Sequence, residues 1–409
     1  MKSISTLSAN NLVLGLFLII SFILFPFSLS LLIIFFVISF NQLKLPQLDR
    51  IAVNILAIYL SLINSTKTPE ADMENYLLRF KEVPETTFLD FIFFGEGARE
   101  PVFSFLNYIG YYLSFGSFQF FIFLVSFMIF SIQFTALRKY CSFYKVSSQR
   151  FFLCCLILGM LNSYFSLTGH LIRQCLGASI LIYVLVVGCT DGKLSKSIFA
   201  ISVFIHSIVL IFAPIILFKK LNQKIDFIML VRLSFAFLFL FFTFDTLVSI
   251  GMSLFEPIQI IYYLFSRLAD PDSFIEIGIG AATSSSQGFM TTIAALMLFY
   301  TLFILYLTKY KLSPLIGHTI IFCCLLTIFL SEYSLLQYRI FFLLYGFVPY
   351  LIVSIPELKY KFSPVAIFLV SIIIFSVFLY ELENGAWEYA SYVDLLIQNP
   401  LTLSLKHWL

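Results

Sequence analysis

The stretch Thr168 to Ile182, TGHLIRQCLGASILI, joins a hydrogen-bonding head to an apolar tail. Its chemistry-bearing residues are His170, Arg173 and Gln174. A charged side chain at the centre of a bilayer helix costs about 2.5–3.5 kcal/mol or more, so Arg173 is expected to face a polar cavity or an anionic partner. Read as one continuous helix, the stretch places His170 and Arg173 three residues apart on a shared face. That face is expected to be one wall of a site for something negatively charged. Snorkelling to headgroups, or pairing with an acid such as Glu332, is the competing structural explanation for arginines of this kind.

The elements that must position this face are membrane helices. The 409 residues are 60% hydrophobic, 19% aromatic and only 11% charged, and the apolar runs have membrane-helix lengths. The expected fold is all-α: a polytopic integral membrane helix bundle of about 12–13 membrane segments, some short or broken, forming one membrane domain over residues 1–409. A transmembrane β-barrel would show short alternating segments instead. Pro26 divides Leu12 to Phe40 into two short passes, about 12–25 and 28–41, with a single long tilted helix as the other reading. Further passes are expected at about 51–64, 117–137, 151–167, 171–189, 226–247, 289–308, 314–331, 339–355 and 363–380. Ser197 to Phe218, bracketed by lysines and interrupted by His206-Ser207 and Pro214, reads as a hairpin of two half-length helices. An ionisable group at membrane depth should face a cavity, and broken helices are tolerated where they line one. His206 is therefore a functional candidate; a buried histidine satisfied by backbone is the alternative.

Orientation follows from lysine and arginine placement. Fifteen basic residues, from Lys44 and Arg50 through Arg138, Lys139, Lys145 and Arg150 to Lys359 and Lys361, share one side with only four acids, Asp49, Asp191, Asp226 and Glu357. That side is expected to be cytoplasmic, with the N-terminus, and the remaining eighteen acids to be extracytoplasmic. The outer segments are then 65–116 (a loop and an interfacial stretch rich in Phe and Tyr), 248–288 and the C-terminal tail 381–409. Ile258 to Asp270 reads as an interfacial amphipathic helix, and Thr283 to Gly288 as a flexible hinge. Arg173, Arg267 and Arg339 stand out as arginines at the outer ends of apolar segments, whereas Arg232 reads as snorkelling. The first apolar run has no cleavage site before it, so no removed signal peptide is expected. The seven cysteines suggest neither a disulfide framework nor a zinc site and read as small packing residues.

Several of these residues also form a pattern. Asp72-x-x-x-Tyr76 and Glu100-Pro101-x-Phe103 lie in the acidic outer loop, Ile172-Arg173-Gln174 heads a pass, Phe204-Ile205-His206-Ser207 follows, and Tyr338-Arg339 heads a late pass. In this order they resemble the EpsG/Wzy family of bacterial O-antigen and exopolysaccharide polymerases. The departures are a divided N-terminal region and Cys175 where a glycine is usual. The resemblance implies a glycosyltransferase of the inner membrane that polymerises lipid-linked repeat units. The growing glycan leaves its undecaprenyl diphosphate carrier and joins the non-reducing end of an incoming unit. Implied partners are that lipid-linked oligosaccharide, membrane lipids, a chain-length regulator and a flippase, with no nucleic acid. No cofactor is implied, because the diphosphate linkage is already activated.

That reaction piles negative charge onto a diphosphate held at the membrane surface. Arginine suits the task because it stays protonated and its fork pairs two phosphate oxygens at once. Arg173 and Arg339 are the first candidates for such a clamp, with Arg267 supplied by the amphipathic helix. The acceptor hydroxyl needs a base, for which Asp72, Glu100, His170 and His206 are candidates. Solvated surface is the rival explanation for the two loop carboxylates. His170, expected beside the diphosphate, reads better as a phosphate ligand. Gln174, Tyr76 and Tyr338 complete the expected substrate-binding set. The acids are scattered, with no pair of the kind that holds a divalent ion on a nucleotide, so no metal site is expected.

Two other functions fit less well, and a third lies close. A flippase for the same lipids predicts matching halves and midplane charges along a path. A membrane acyltransferase needs a catalytic histidine near the cytoplasmic entrance, and His170 lies on the other side. Ligation of glycan onto a lipid core is chemically close, and sequence alone separates it poorly from polymerisation.

Overall fold

The computed structural model describes residues 2–39, 46–69, 72–94, 100–160, 162–217, 246–256, 284–306, 312–331, 334–355, 363–384, 397–399 and 401–402, with isolated positions at 235, 239, 243, 262 and 266. Every regular element among the described residues is a helix, as composition required. The chain divides into two compact units: residues 1–209 with 348–409, and residues 210–347.

The first unit begins with α1 (Lys2–Leu24) and α2 (Phe27–Ser39), parted at Pro26 as expected. Proline lacks the N–H that would continue α1 but fits the start of α2. Next come α3 (Pro46–Ser65), then the short α4 (Asp72–Lys81) and α5 (Phe88–Phe93). α6 (Pro101–Leu113) starts on a proline, and α7 (Phe118–Phe143) is capped by the Ser117 hydroxyl, which accepts from the Phe120 N–H. α8 (Ser148–Met160) and α9 (Asn162–His170) are two apolar helices in succession, bent by 55° from each other. α10 (Ile172–Asp191) ends where Gly192 turns left-handed. α11 (Lys196–Ile205), capped by Ser195, stops at His206, whose backbone is extended.

With lipid outside, helix association gains little from the hydrophobic effect and relies on close packing and interhelical hydrogen bonds. α7 is the hub, packed on both α3 and α10. Within it, buried Gln133 donates to the Tyr164 hydroxyl of α9 at 2.9 Å and to the Ser179 hydroxyl of α10 at 3.2 Å. Asn64 of α3 donates to the Thr168 hydroxyl at 2.7 Å, and the Ser126 hydroxyl of α7 donates to the Thr168 carbonyl at 3.3 Å. Exposed surfaces are apolar in turn: Val13, Leu16, Ile20 and Leu24 of α1 face outward, as lipid contact demands. Six of the seven cysteines are buried and all seven are free thiols.

The basic end of this unit is fastened by polar side chains. Lys139 pairs with Asp191 at 2.8 Å, Gln149 donates to the Ser39 carbonyl at 2.8 Å, and Arg150 donates to the Ile355 carbonyl at 2.7 Å. α10 has twenty residues, so Arg173 and Asp191 stand roughly 27 Å apart along its axis. Over the Arg173 end lies a cap built from α4, a 3-10 turn (Val83–Glu85), α5 and α6. Its small core is Val83, Phe91 and Ile92 against Tyr108 and Tyr111. Arg79 staples α4 to α5, donating to the Phe91 carbonyl at 2.7 Å with its guanidinium 4.0 Å over the Phe91 ring.

The second unit contains the latter half of a 3-10 turn (Ser207–Phe212), α12 (Ala213–Leu217), α13 (Ser284–Tyr306), α14 (Pro314–Phe329) and the first part of α15 (Ser334–Ser354). Two expectations change here. Pro214 does not interrupt a helix; it sits at the second position of α12, where its missing N–H costs nothing. The hinge expected at 283–288 is instead, from Ser284 on, the first turn of α13, and small polar residues fit a helix start. Gln337 of α15 donates to the Thr291 hydroxyl at 2.9 Å and to the Thr327 carbonyl at 3.0 Å, tying three helices together. The last described long helix, α16 (Pro364–Asn384), belongs to the first unit and packs on α2 and α8. The pass expected at 226–247 falls largely outside the described residues, as do Arg232, the segment holding the amphipathic helix and Glu332.

Candidate active site

Four separate stretches of the first unit converge at the N-terminal end of α10, remote from the Lys139–Asp191 pair. Arg173, in its first turn, donates from Nη1 to Glu100 Oε2 at 2.7 Å. Glu100 Oε1 faces His206 Nδ1 in a short hydrogen bond and accepts from the Ser207 N–H at 3.4 Å. The guanidinium carbon lies 4.8 Å from the Tyr76 ring centroid and 5.9 Å from that of Phe103. Asp72, one turn before Tyr76 on α4, adds its field to both Tyr76 and Arg173. Five residues singled out in the sequence, Asp72, Tyr76, Glu100, Arg173 and His206, therefore share one place.

Local sequence explains the convergence. Asp72 and Tyr76 are four apart and lie on one face of α4. Glu100 precedes Pro101, so it stands at the α6 start, yet its carboxylate makes no capping bond to its own helix. An acid at a helix N-terminus ordinarily turns to the free N–H groups there. This one turns to Arg173 and His206 instead. The chain breaks at His206 because α11 ends there, and α10 admits the break by means of Gly177. A Cβ at Gly177 would lie 3.2 Å from the Ser202 carbonyl oxygen, 3.2 Å from Val209 Cγ2 and 3.4 Å from His206 Cβ. Only hydrogen at this position lets the end of α11 lie so close.

Glu100 is the electrostatic centre. Its side chain is 8% exposed, against 36% for Arg173 and 11% for His206. Burial alone would raise its carboxyl; the charge of His206 in its protonated form, the Arg173 guanidinium and the bonds from His206 and the Ser207 N–H outweigh it and hold the carboxyl down at about 2. Burial raises the Tyr76 phenol, which stays neutral. The cluster combines a fixed cation with one open edge, an ionised carboxylate and an imidazole. Such a set can hold an anion and move a proton.

Two competing readings fall away and one expectation is corrected. Glu100 is not a solvated loop carboxylate; the cap folds over it, and it pairs with Arg173, whereas the competing structural explanation had named an acid such as Glu332. His206 is satisfied by that carboxylate rather than by backbone alone. His170 does not share a helix face with Arg173, because α9 ends at His170 and Leu171, with φ −102° and ψ 53°, starts a new helix. His170 is buried, and the charge that acts on it is Lys67. Gln174, next to Arg173, is buried.

Sequence reasoning passed over Lys67. It ends the polar turn after α3 and is 1% exposed, its Cδ lying 3.6 Å from where a Cβ on Gly169 would stand. The signal was the run Asn64-Ser65-Thr66-Lys67 closing an apolar helix. Arg339 and Tyr338 belong to the second unit, in the early turns of α15; Arg339 is half-buried, and the Tyr338 ring meets Phe342 edge-on at 3.8 Å. Arg267 lies outside the described residues.

Neither a curated protein nor a solved structure is detectably similar to the chain. The model of one family does match it, over residues 50–391, a span that takes in Asp72, Tyr76, Glu100, Arg173, His206 and Arg339. The chain belongs to the EpsG family, multi-pass membrane proteins of the polysaccharide-polymerase type.

Proposed function

We propose that this protein polymerises undecaprenyl-diphosphate-linked oligosaccharide repeat units at the outer face of a bacterial inner membrane. The growing glycan is the donor, and the non-reducing end of the incoming unit is the acceptor. The observation that carries the reading is the Arg173–Glu100–His206 cluster at the end of α10 remote from the basic Lys139–Asp191 end. Arg173 has the charge and the planar fork to hold the diphosphate as the sugar–phosphate bond breaks. Positioned donors of this kind contribute about 2.7–4 kcal/mol to a transition state. Tyr76 and Phe103 hold the guanidinium in place through cation–π contact.

Arg339, Tyr338, Gln174 and Arg267 keep proposed roles in binding diphosphate or glycan on grounds of residue type and sequence position, whereas His170 loses its ground with the break at Leu171. A flippase and a chain-length regulator are the proposed partners, and the C-terminal tail is assigned to the outer side. Asn399 supports that assignment: it donates to the carbonyls of Phe22, Ile23 and Phe25, placing tail and α1–α2 turn together.

In a host carrying the pathway, deletion should leave chains of a single repeat unit. Arg173→Ala should lower polymer formation by about 10²–10³-fold without loss of membrane insertion. Arg173→Lys should rescue poorly, because ammonium lacks the planar fork. Accumulation of lipid-linked units on the inner leaflet would favour a transporter instead, and full activity of Arg173→Ala would defeat the clamp.

A further inference from the structure

One carboxylate here serves two partners that the proposed reaction needs for different tasks. Glu100 Oε2 holds Arg173, the group assigned to the donor's diphosphate, and Oε1 holds His206. Glu100 reaches Arg173 through a single oxygen, at Nη1; a diphosphate held by the full planar fork needs that nitrogen as well, so the two compete for it. Arg173 has other support, the Tyr76 and Phe103 rings, and stays in place when its carboxylate partner is exchanged. Glu100 likewise has other support, His206 and the Ser207 N–H. The exchange therefore strands neither charge.

We infer that Glu100 couples donor binding to acceptor activation: the diphosphate displaces Glu100 from Arg173, and the carboxylate then serves His206 alone, fitting that imidazole as the general base. This rests on the polymerase reading and deepens it. With Nδ1–H given to Glu100, Nε2 carries the lone pair. The acceptor hydroxyl gives its proton to Nε2 while its oxygen forms the new bond to the donor's anomeric carbon. The bond from that carbon to the diphosphate oxygen breaks, and its electron pair stays on the diphosphate, held by Arg173. Glu100 stabilises the resulting imidazolium, which afterwards releases its proton to water. Glu100 is a positioning residue in this scheme and His206 a catalytic one. Before a donor arrives, Glu100 is divided between Arg173 and His206, so the base is only half supported and idle hydrolysis is suppressed.

The test uses the full-length protein in nanodiscs, with undecaprenyl diphosphate as the binding probe and polymer formation as the second readout. Glu100→Gln should bind the probe about tenfold tighter than wild type, the worth of one charge-assisted hydrogen bond freed from competition, while polymer falls to background. His206→Ala should bind the probe more weakly than wild type, because a displaced Glu100 then keeps only the Ser207 N–H, and should also fail to polymerise. A purely structural role for Glu100 predicts weaker binding together with lost activity. That result, or equal binding, or wild-type polymerisation by Glu100→Gln, would overturn the coupling. If Glu100→Gln does not fold, Glu100→Asp decides: it keeps the charge but not the reach, so tighter binding with slowed transfer is again expected, and unchanged binding refutes. A folded wild-type protein that does not bind the probe would sink the polymerase reading itself.

Discussion

α10 carries an ion pair at each of its ends, and the two are built to different specifications. At the basic end Lys139 and Asp191 meet at 2.8 Å with 34% and 48% of their side chains exposed. At the other end Arg173 and Glu100 meet at a similar 2.7 Å, but the acid is 8% exposed, shared with His206, and roofed by α4 and α6. An exposed pair gains little, because water solvates either partner alone. A buried acid is costly to desolvate and is stabilising only when its partners are all present. Equal distances thus hide unequal dependence. The first pair fastens one end of a helix. The second spends stability to hold an ionised carboxylate, a guanidinium and an imidazole within reach of one another, which is the mark of a site.

The sharpest way to break the comparison is to delete the acid at each end. Glu100→Ala should destabilise the protein by about 2 kcal/mol, below the 3–5 of a fully buried pair because Arg173 keeps an open edge. Asp191→Ala should leave the melting temperature in detergent unchanged, as its exposed lysine partner returns to water. Equal losses at the two ends would show that burial does not separate them.

The parts of this picture that were legible in the sequence are those with a local cost. Apolar runs announce helices because lipid admits little else, so Pro26 and the break at His206 could be read directly. Arg173 and His206 drew attention because an ionisable group in such a run demands a reason. Glu100 lay in a polar segment where a carboxylate costs nothing by itself; only the folding of α4 to α6 over the end of α10 makes it a buried hub. Lys67 escaped for the same reason. The break at Leu171 was invisible because no proline marks it, and it separated His170 from Arg173 although their spacing had joined them. Pairing between distant stretches is a property of packing, and single residues do not advertise it.

Gly177 sharpens the comparison from the packing side. It lies one turn into α10 from Arg173 and touches neither charge, yet it fixes how near His206 approaches Glu100. A methyl there meets a backbone carbonyl at 3.2 Å, and the end of α11 must retreat by a few tenths of an ångström. Gly177→Ala should therefore cost about 1 kcal/mol of stability, since Ala is the better helix former and offsets part of the overlap. Polymer formation should fall further, about tenfold, because a displaced imidazole is worth more to the reaction than to the fold. A stability loss with unchanged polymer would show that the position of His206 is unimportant.

The smallest effect is expected midway along α10, between the two ion pairs, where Gln133 of α7 bonds to Tyr164 and Ser179. These bonds link three helices at membrane depth and carry no charge. Interhelical hydrogen bonds in membrane proteins average about 0.6 kcal/mol, because the separated helices find other partners. Gln133→Leu, close to it in volume, should accordingly shift thermal unfolding by that order and leave polymer formation intact. Here the polar groups orient a bundle whose apolar packing already holds it, whereas at Glu100 a buried charge depends on every polar group around it. A loss in Gln133→Leu as large as in Glu100→Ala would mean that buried polarity alone, irrespective of charge, sets the energetics of α10.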